Sequence, residues 1–118
     1  MMKKYDLEER LIQFSANVII GVTTLKKSFA SEHLTKQLIR SSTSSALNYG
    51  EAQAAESKRD FVHKMKICLK ELRESQINLK ILEQANLIID DEKIKPITQE
   101  CKELVAIFTS SIKTTKVK

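Results

Sequence analysis

The sequence predicts an all-α protein, an antiparallel up-and-down four-helix bundle formed by residues 1–118 as a single domain. Three observations carry that prediction. Apolar residues recur at steps of three and four along most of the chain, the period of a helix that buries one face. Only two Gly and one Pro occur in 118 residues, too little turn material for a many-stranded fold. The segments between the periodic stretches are short, which makes successive helices antiparallel neighbours. The length suffices for a core without disulfides or a structural metal. A content of 42% hydrophobic and 30% charged residues is globular rather than disordered composition. No fixed-period repeat is present, so a solenoid is not expected.

The first helix is expected over about residues 6–27. Its stripe runs Leu7, Leu11, Phe14, Val18, Val22, Leu25 and Phe29, with Asp6 as N-cap and Lys26 and Lys27 suited to the negative end of the helix dipole. A second short stripe, Ile12, Ala16 and Ile19, lies about a third of a turn away and predicts two neighbours for this helix.

Ser31 is the expected N-cap of the second helix, about 32–56. Its seam begins with Leu34 and Leu38, turns small and polar at Ser41, Ser45 and Asn48, and ends with Ala52 and Ala55. The run Ser41-Ser42-Thr43-Ser44-Ser45 could compete for backbone bonds as a loop, but the period continues in register on both sides and predicts helix. Gly50 costs about 1 kcal/mol relative to Ala inside a helix, a cost that predicts a close backbone approach there.

Ser57 and Asp60 predict the start of the third helix, about 58–86. Phe61, Met65, Cys68, Leu72, Gln76, Leu79 and Leu82 mark its core face. Asp90 and Asp91 supply the acidic start of the fourth helix, about 92–113, with the stripe Ile94, Ile97, Cys101, Leu104, Phe108 and Ile112. Pro96 is tolerable only near the first turn, which predicts a start close to Lys93 or a local kink. The tail from Lys113 is expected to fray.

Composition and motifs also bound function. The net charge of +5 permits a phosphate-rich partner without requiring one. Cys68 and Cys101 fall at helical core spacings and read as small buried hydrophobes in a reducing cytosol. No stretch reaches the length of a membrane span, and Met1-Met2-Lys3-Lys4 leads straight into a charged segment without a secretion signal. The expected location is the cytoplasm, with no membrane partner. A di-iron bundle uses paired Glu-x-x-His motifs; Glu71 and Glu74 have the spacing but no His follows, and His33 and His63 stand alone. Neither a Cys–His nucleophile pair nor a Gly-rich phosphate loop is present. The expectation is no enzyme, no cofactor and no metal.

Helices two and three turn near Ser57, so residues whose numbers sum to about 114 lie at similar heights. Arg40 then stands near Glu74, Ser44 near Lys70, Asn48 near Lys66 and Glu51 near His63. A polar network of Arg40, Asn48, Glu51, Glu71 and Glu74 between helices follows if these groups turn inward, and a solvated face follows if they turn outward. On helix three, Arg59, Lys66, Lys70 and Arg73 share one outward face, a row of cations that can neutralise a row of phosphates. Ile77 and Ile81 continue near that face. With Ile12, Ala16 and Ile19 they form either a self-association surface or a broad core face.

From Arg40 to Ser75 the chain reads RSSTSSALNYGEAQAAESKRDFVHKMKICLKELRES. This segment resembles the bacterial four-helix-bundle family of 23S ribosomal RNA intervening-sequence proteins. There a Ser/Ala-rich stretch leads into Asn-x-x-Glu, an Asp/Phe opening of the next helix and an E-L-x-E-type segment. The matching positions are Asn48, Glu51, Asp60, Phe61, Glu71 and Glu74, with the usual Glu-Gly order reversed as Gly50-Glu51. The likeness extends more loosely from Tyr5 to about Ile88. The resemblance implies a bundle that assembles into a ring, commonly a pentamer. It also implies kinship with the accessory protein of diversity-generating retroelements, which partners a reverse transcriptase and binds nucleic acid. RNA or DNA, and a reverse transcriptase or other protein, are the partners it implies. No catalytic residues come with it.

Two readings leave the sequence: a homo-oligomeric adaptor whose basic face contacts RNA or DNA, and a structural or protein-binding module with no nucleic acid role.

Overall fold

The computed structural model describes residues 6–117, with side chains described over 7–115. Among the described residues the chain forms four α-helices: α1 Asp6–Gly21, α2 Phe29–Gln53, α3 Lys58–Gln84 and α4 Asp91–Val117. Each helix packs against the next in sequence, and α4 closes back onto α1, giving an up-and-down bundle about 46 × 29 × 20 Å in extent. The N-cap expected of Asp6 rests on a side chain outside the described range.

The core follows the helical stripes. Leu11, Phe14 and Val18 of α1, Met65, Cys68, Leu72, Leu79 and Leu82 of α3, and Ile94, Ile97, Cys101, Leu104, Phe108 and Ile112 of α4 are buried in one cluster. Tyr49 of α2, absent from the expected seam, is buried edge-on against Phe108 with ring centroids 5.7 Å apart. Gln76 is half-buried, and the deeper polar positions on α3 are Glu71, Ser75 and Asn78.

The serine run is helical throughout. Ser42 and Ser45 donate their hydroxyls to Ile39 O and Ser42 O, three residues back, so the side chains satisfy themselves without unwinding the backbone. Ser15 of α1 donates to Ser42 O on α2 at 3.0 Å, a cross-link that needs small side chains on both helices. α1 thus has two neighbours, α2 and α4. Ile12 and Ile19 do not make those contacts; both remain about half exposed.

The two boundaries of the first connection differ from expectation, and α2 ends at Gln53 rather than near residue 56. α1 stops at Gly21, six residues before Lys27, and continues as a single 3-10 turn over Val22–Thr24. Leu25 then becomes extended and forms an isolated antiparallel bridge with Ile88, and Lys26 N donates to Leu87 O at 2.9 Å. Leu25 is buried in step with the helical stripe although it is not helical, which is why periodicity overran the true end. Phe29, assigned to the same stripe, opens α2 instead and is 90% exposed. Its N-cap is Ser28 rather than Ser31: Ser31 N donates to Ser28 Oγ and Ser28 N to Ser31 Oγ, a reciprocal capping box.

α3 is capped by Ser57, whose Oγ accepts from Asp60 N. It ends in a left-handed residue, Asn86, at φ 59°. Leu87 N donates to Leu82 O and Asn86 N to Glu83 O, the paired bonds of a Schellman closure. α4 begins at Asp91, where Asp90 Oδ1 accepts from Glu92 N, and runs on through Val117 without the early stop expected near Lys113. Pro96 lies inside this helix and leaves Glu92 O without its usual donor.

The expected close approach at Gly50 is absent: nothing lies within 4 Å of a Cβ placed there. The close approach occurs at Gly21, where a Cβ would meet Ile97 Cδ1 at 2.6 Å and Ile94 Cδ1 at 3.3 Å. The glycine lets the end of α1 sit against the start of α4.

Candidate functional site

Burial of Met65, Cys68, Leu72, Leu79 and Leu82 turns one side of α3 inward, and the opposite side carries Arg59, Lys66, Lys70 and Arg73. At 3.6 residues per turn the four cations fall within roughly 60° of one another and span about 21 Å of helix. All four are exposed, and among the described residues none is an ion-pair partner. At the start of the row, Lys58, Arg59, Val62, His63 and Lys66 line a shallow hollow. Their charges are therefore presented to solvent rather than spent within the fold.

The seam between α2 and α3 gathers three of the five residues expected there. Arg40 Nη2 donates to Glu74 at 2.6 Å and Nη1 to Glu71 at 3.2 Å. These carboxylates, Glu74 first, hold the Arg40 guanidinium above its ordinary pKa. Glu71 is only 7% exposed, whereas Arg40 faces outward. Beside them the hydroxyls of Ser41 and Ser75 meet at 2.7 Å. Asn48 stays apart, donating to Ser44 O and Ser44 Oγ within its own helix. Glu51 pairs with Lys64 instead of joining the glutamates. Asn78 Nδ2 reaches Leu34 O on α2, and Asn78 Oδ1 is buried without a partner.

A second arginine fork lies between α1 and α4. Arg10 Nε and Nη2 donate to Glu100 at 2.8 and 2.6 Å, and Nη2 also reaches Glu103 at 3.1 Å. Glu100, foremost, raises the Arg10 pKa, while Gln99 and then Arg10 lower that of Glu103. The sequence signal was available: Glu100 and Glu103 are one helical turn apart, as are Glu71 and Glu74.

The isoleucines form two patches on diagonally placed helices. Ile12 and Ile19 are exposed on α1 with Ala16 half-buried between them, and Ile77 and Ile81 are exposed on α3. The latter pair borders a groove with Leu34, Arg40, Glu74 and Asn78.

Burial pushes both thiols up to about 12, and Cys101 Sγ donates to Leu72 O, so neither thiol is poised as a nucleophile. His33 and His63 are exposed. Among the described residues no group of three or more His, Cys, Asp or Glu side chains is placed to hold a metal ion, and no helix is long and apolar enough to cross a membrane.

Comparison with known proteins places these features. The family described as 23S rRNA-intervening sequence protein matches residues 3–110. A crystal structure from Bacteroides thetaiotaomicron, of a protein with unknown function from the S23 ribosomal protein family, is similar at a TM-score of 0.77 with 27% sequence identity. The likeness covers 91% of this chain and 98% of that one. No curated protein sequence matches.

Proposed function

We propose that the chain, which belongs to the 23S rRNA-intervening sequence protein family, is a non-enzymatic, homo-oligomeric bundle protein that binds RNA or DNA through the basic face of α3. The observation that carries this reading is the row Arg59, Lys66, Lys70 and Arg73, exposed, aligned and unpaired on the side of α3 opposite its core. Cations already engaged in ion pairs would have to give up those partners to meet phosphate; these do not. Self-association, as a pentamer by family resemblance, would cover Ile12, Ala16, Ile19, Ile77 and Ile81. The reading places the protein in the cytoplasm, with a reverse transcriptase or another protein as a further partner.

Charge reversal at Lys66, Lys70 and Arg73 together is the direct test. Binding to a structured RNA should be abolished at moderate salt. At low salt any residual binding should lose about two to three of the counterions that wild type releases, read as a shallower salt slope. Far-UV circular dichroism should stay unchanged, because all three side chains lie outside the core. Undiminished binding by the variant would remove this face from consideration. Light scattering tests the assembly: a single-chain mass at micromolar concentration would refute it.

The exposed isoleucine patches also support a second reading, a protein-binding module without a nucleic acid role. A partner recovered from lysate that stays bound after nuclease treatment, together with no RNA or DNA affinity in the purified chain, would favour it.

A further inference from the structure

Phe29 is the most exposed large apolar side chain in the described structure, at 90%. It does not sit on a loose loop. Its backbone follows Ser28, locked by the reciprocal bonds to Ser31, and the preceding segment is tied to the α3–α4 connection through Leu25–Ile88 and Lys26 N to Leu87 O. Lys26 and Lys27 are exposed, lie three and two positions before it, and among the described residues make no ion pair. Lys27 also borders a hollow with Lys36, whose single acidic neighbour there is Glu32. An exposed aromatic ring on a tied backbone, close in sequence to Lys26 and Lys27, matches what single-stranded nucleic acid requires: a surface on which a base stacks and positive charge for the adjoining phosphates.

We propose that Phe29, with Lys26 and Lys27, is a stacking contact for an unpaired base of single-stranded or looped nucleic acid. The inference rests on the nucleic acid reading above and adds the class of substrate: unpaired strand rather than duplex. The contact lies at the end of the bundle where α2 begins, whereas the α3 row starts at the opposite end, where that helix begins. One ligand would therefore meet two separate surfaces.

The sequence contains no Trp, so Phe29→Trp supplies a single fluorescent reporter. Oligothymidylate should quench its emission, a blunt duplex of equal length should not, and added salt should reverse the quenching. Phe29→Ala should weaken oligothymidylate binding about ten- to hundredfold, while Phe29→Trp retains it. Unquenched emission together with wild-type affinity of Phe29→Ala would overturn the proposal. So would a blue shift produced by anionic phospholipid vesicles alone, which assigns the ring to a lipid surface. A blue-shifted Trp in the free protein, with a smaller solution mass for Phe29→Ala, would overturn it in favour of a chain–chain contact. If charge reversal on α3 abolishes binding and Phe29→Ala does not, the stacking contact fails and the basic-face reading stands. If the reverse holds, the basic face fails and the stacking contact stands. Absence of any binding by the wild-type chain removes both.

Discussion

Arg10 and Arg40 make similar forks at two seams that are otherwise unlike. Each guanidinium spans two glutamates one turn apart on a neighbouring helix, Glu100 and Glu103 for Arg10, Glu71 and Glu74 for Arg40. Behind Arg10, α1 and α4 contribute Leu11, Phe14, Val18, Cys101 and Leu104, large or soft apolar groups that hold by shape and dispersion. Behind Arg40, α2 and α3 contribute Ser41 and Ser75, whose hydroxyls are buried and hydrogen-bonded to each other. The first seam gains stability from area removed from water. The second gains close helix approach, and its polar groups avoid a burial penalty by pairing, save Asn78 Oδ1, which has no partner. The same ion-pair geometry therefore leaves Glu100 partly in water at the first seam and meets a buried Glu71 at the second.

Large-to-small substitution should break this comparison most visibly. Phe14→Ala removes a ring that is 1% exposed and should cost about 3–5 kcal/mol in urea unfolding. Ser41→Ala with Ser75→Ala removes both partners of one bond at little change in volume, and should stay within about 1 kcal/mol of wild type. Comparable losses from the two would show that the serine seam carries as much stability as the apolar one.

The arginines sharpen the point. Arg40→Ala leaves the Glu71 carboxylate buried and unpaired and should cost about 1–3 kcal/mol, most of it recovered by adding Glu71→Gln. Arg10→Ala should cost about 1 kcal/mol. Glu100→Gln should give no such recovery, because the Glu100 side chain keeps 29% of its surface in water. Thermal and urea denaturation of the two double variants would read this out, and equal rescue at both sites would erase the distinction. The smallest effect is expected at Gly50, open to solvent within a helix, where Ala should add about 0.5–1 kcal/mol. A loss there instead would reveal a contact that the isolated chain does not make.

Much of this was readable from the residues. The stripes on α3 and α4 became core because three- and four-residue spacing maps directly onto a buried helical face. The hairpin register brought Arg40 to Glu74, since a short turn ties height to number on adjacent helices. Arg10 escaped because α1 and α4 share no turn, so only closure of the bundle sets their relative height. Gly50 and Gly21 were confused for a related reason: a glycine in a helix signals an approach only if another element is there, and sequence does not say which elements meet. Phe29 escaped because a ring in step with a stripe looks buried until the backbone is known to leave the helix three residues past Gly21. The basic row was visible as spacing. What it binds depends on a ligand surface outside the chain.

The tie between Lys26 and Leu87 joins positions about sixty residues apart. Each helical hairpin can assemble from local contacts at little loop-closure cost, but this tie can close only after both hairpins exist and have docked in register. On loop-entropy grounds it is expected late in the route to the native state, and a φ-value near zero for Leu25→Ala would bear that out. A chain that docks its halves one helical turn out of step would leave Lys26 N and Leu87 O facing the wrong neighbours, and would gain nothing from closing there.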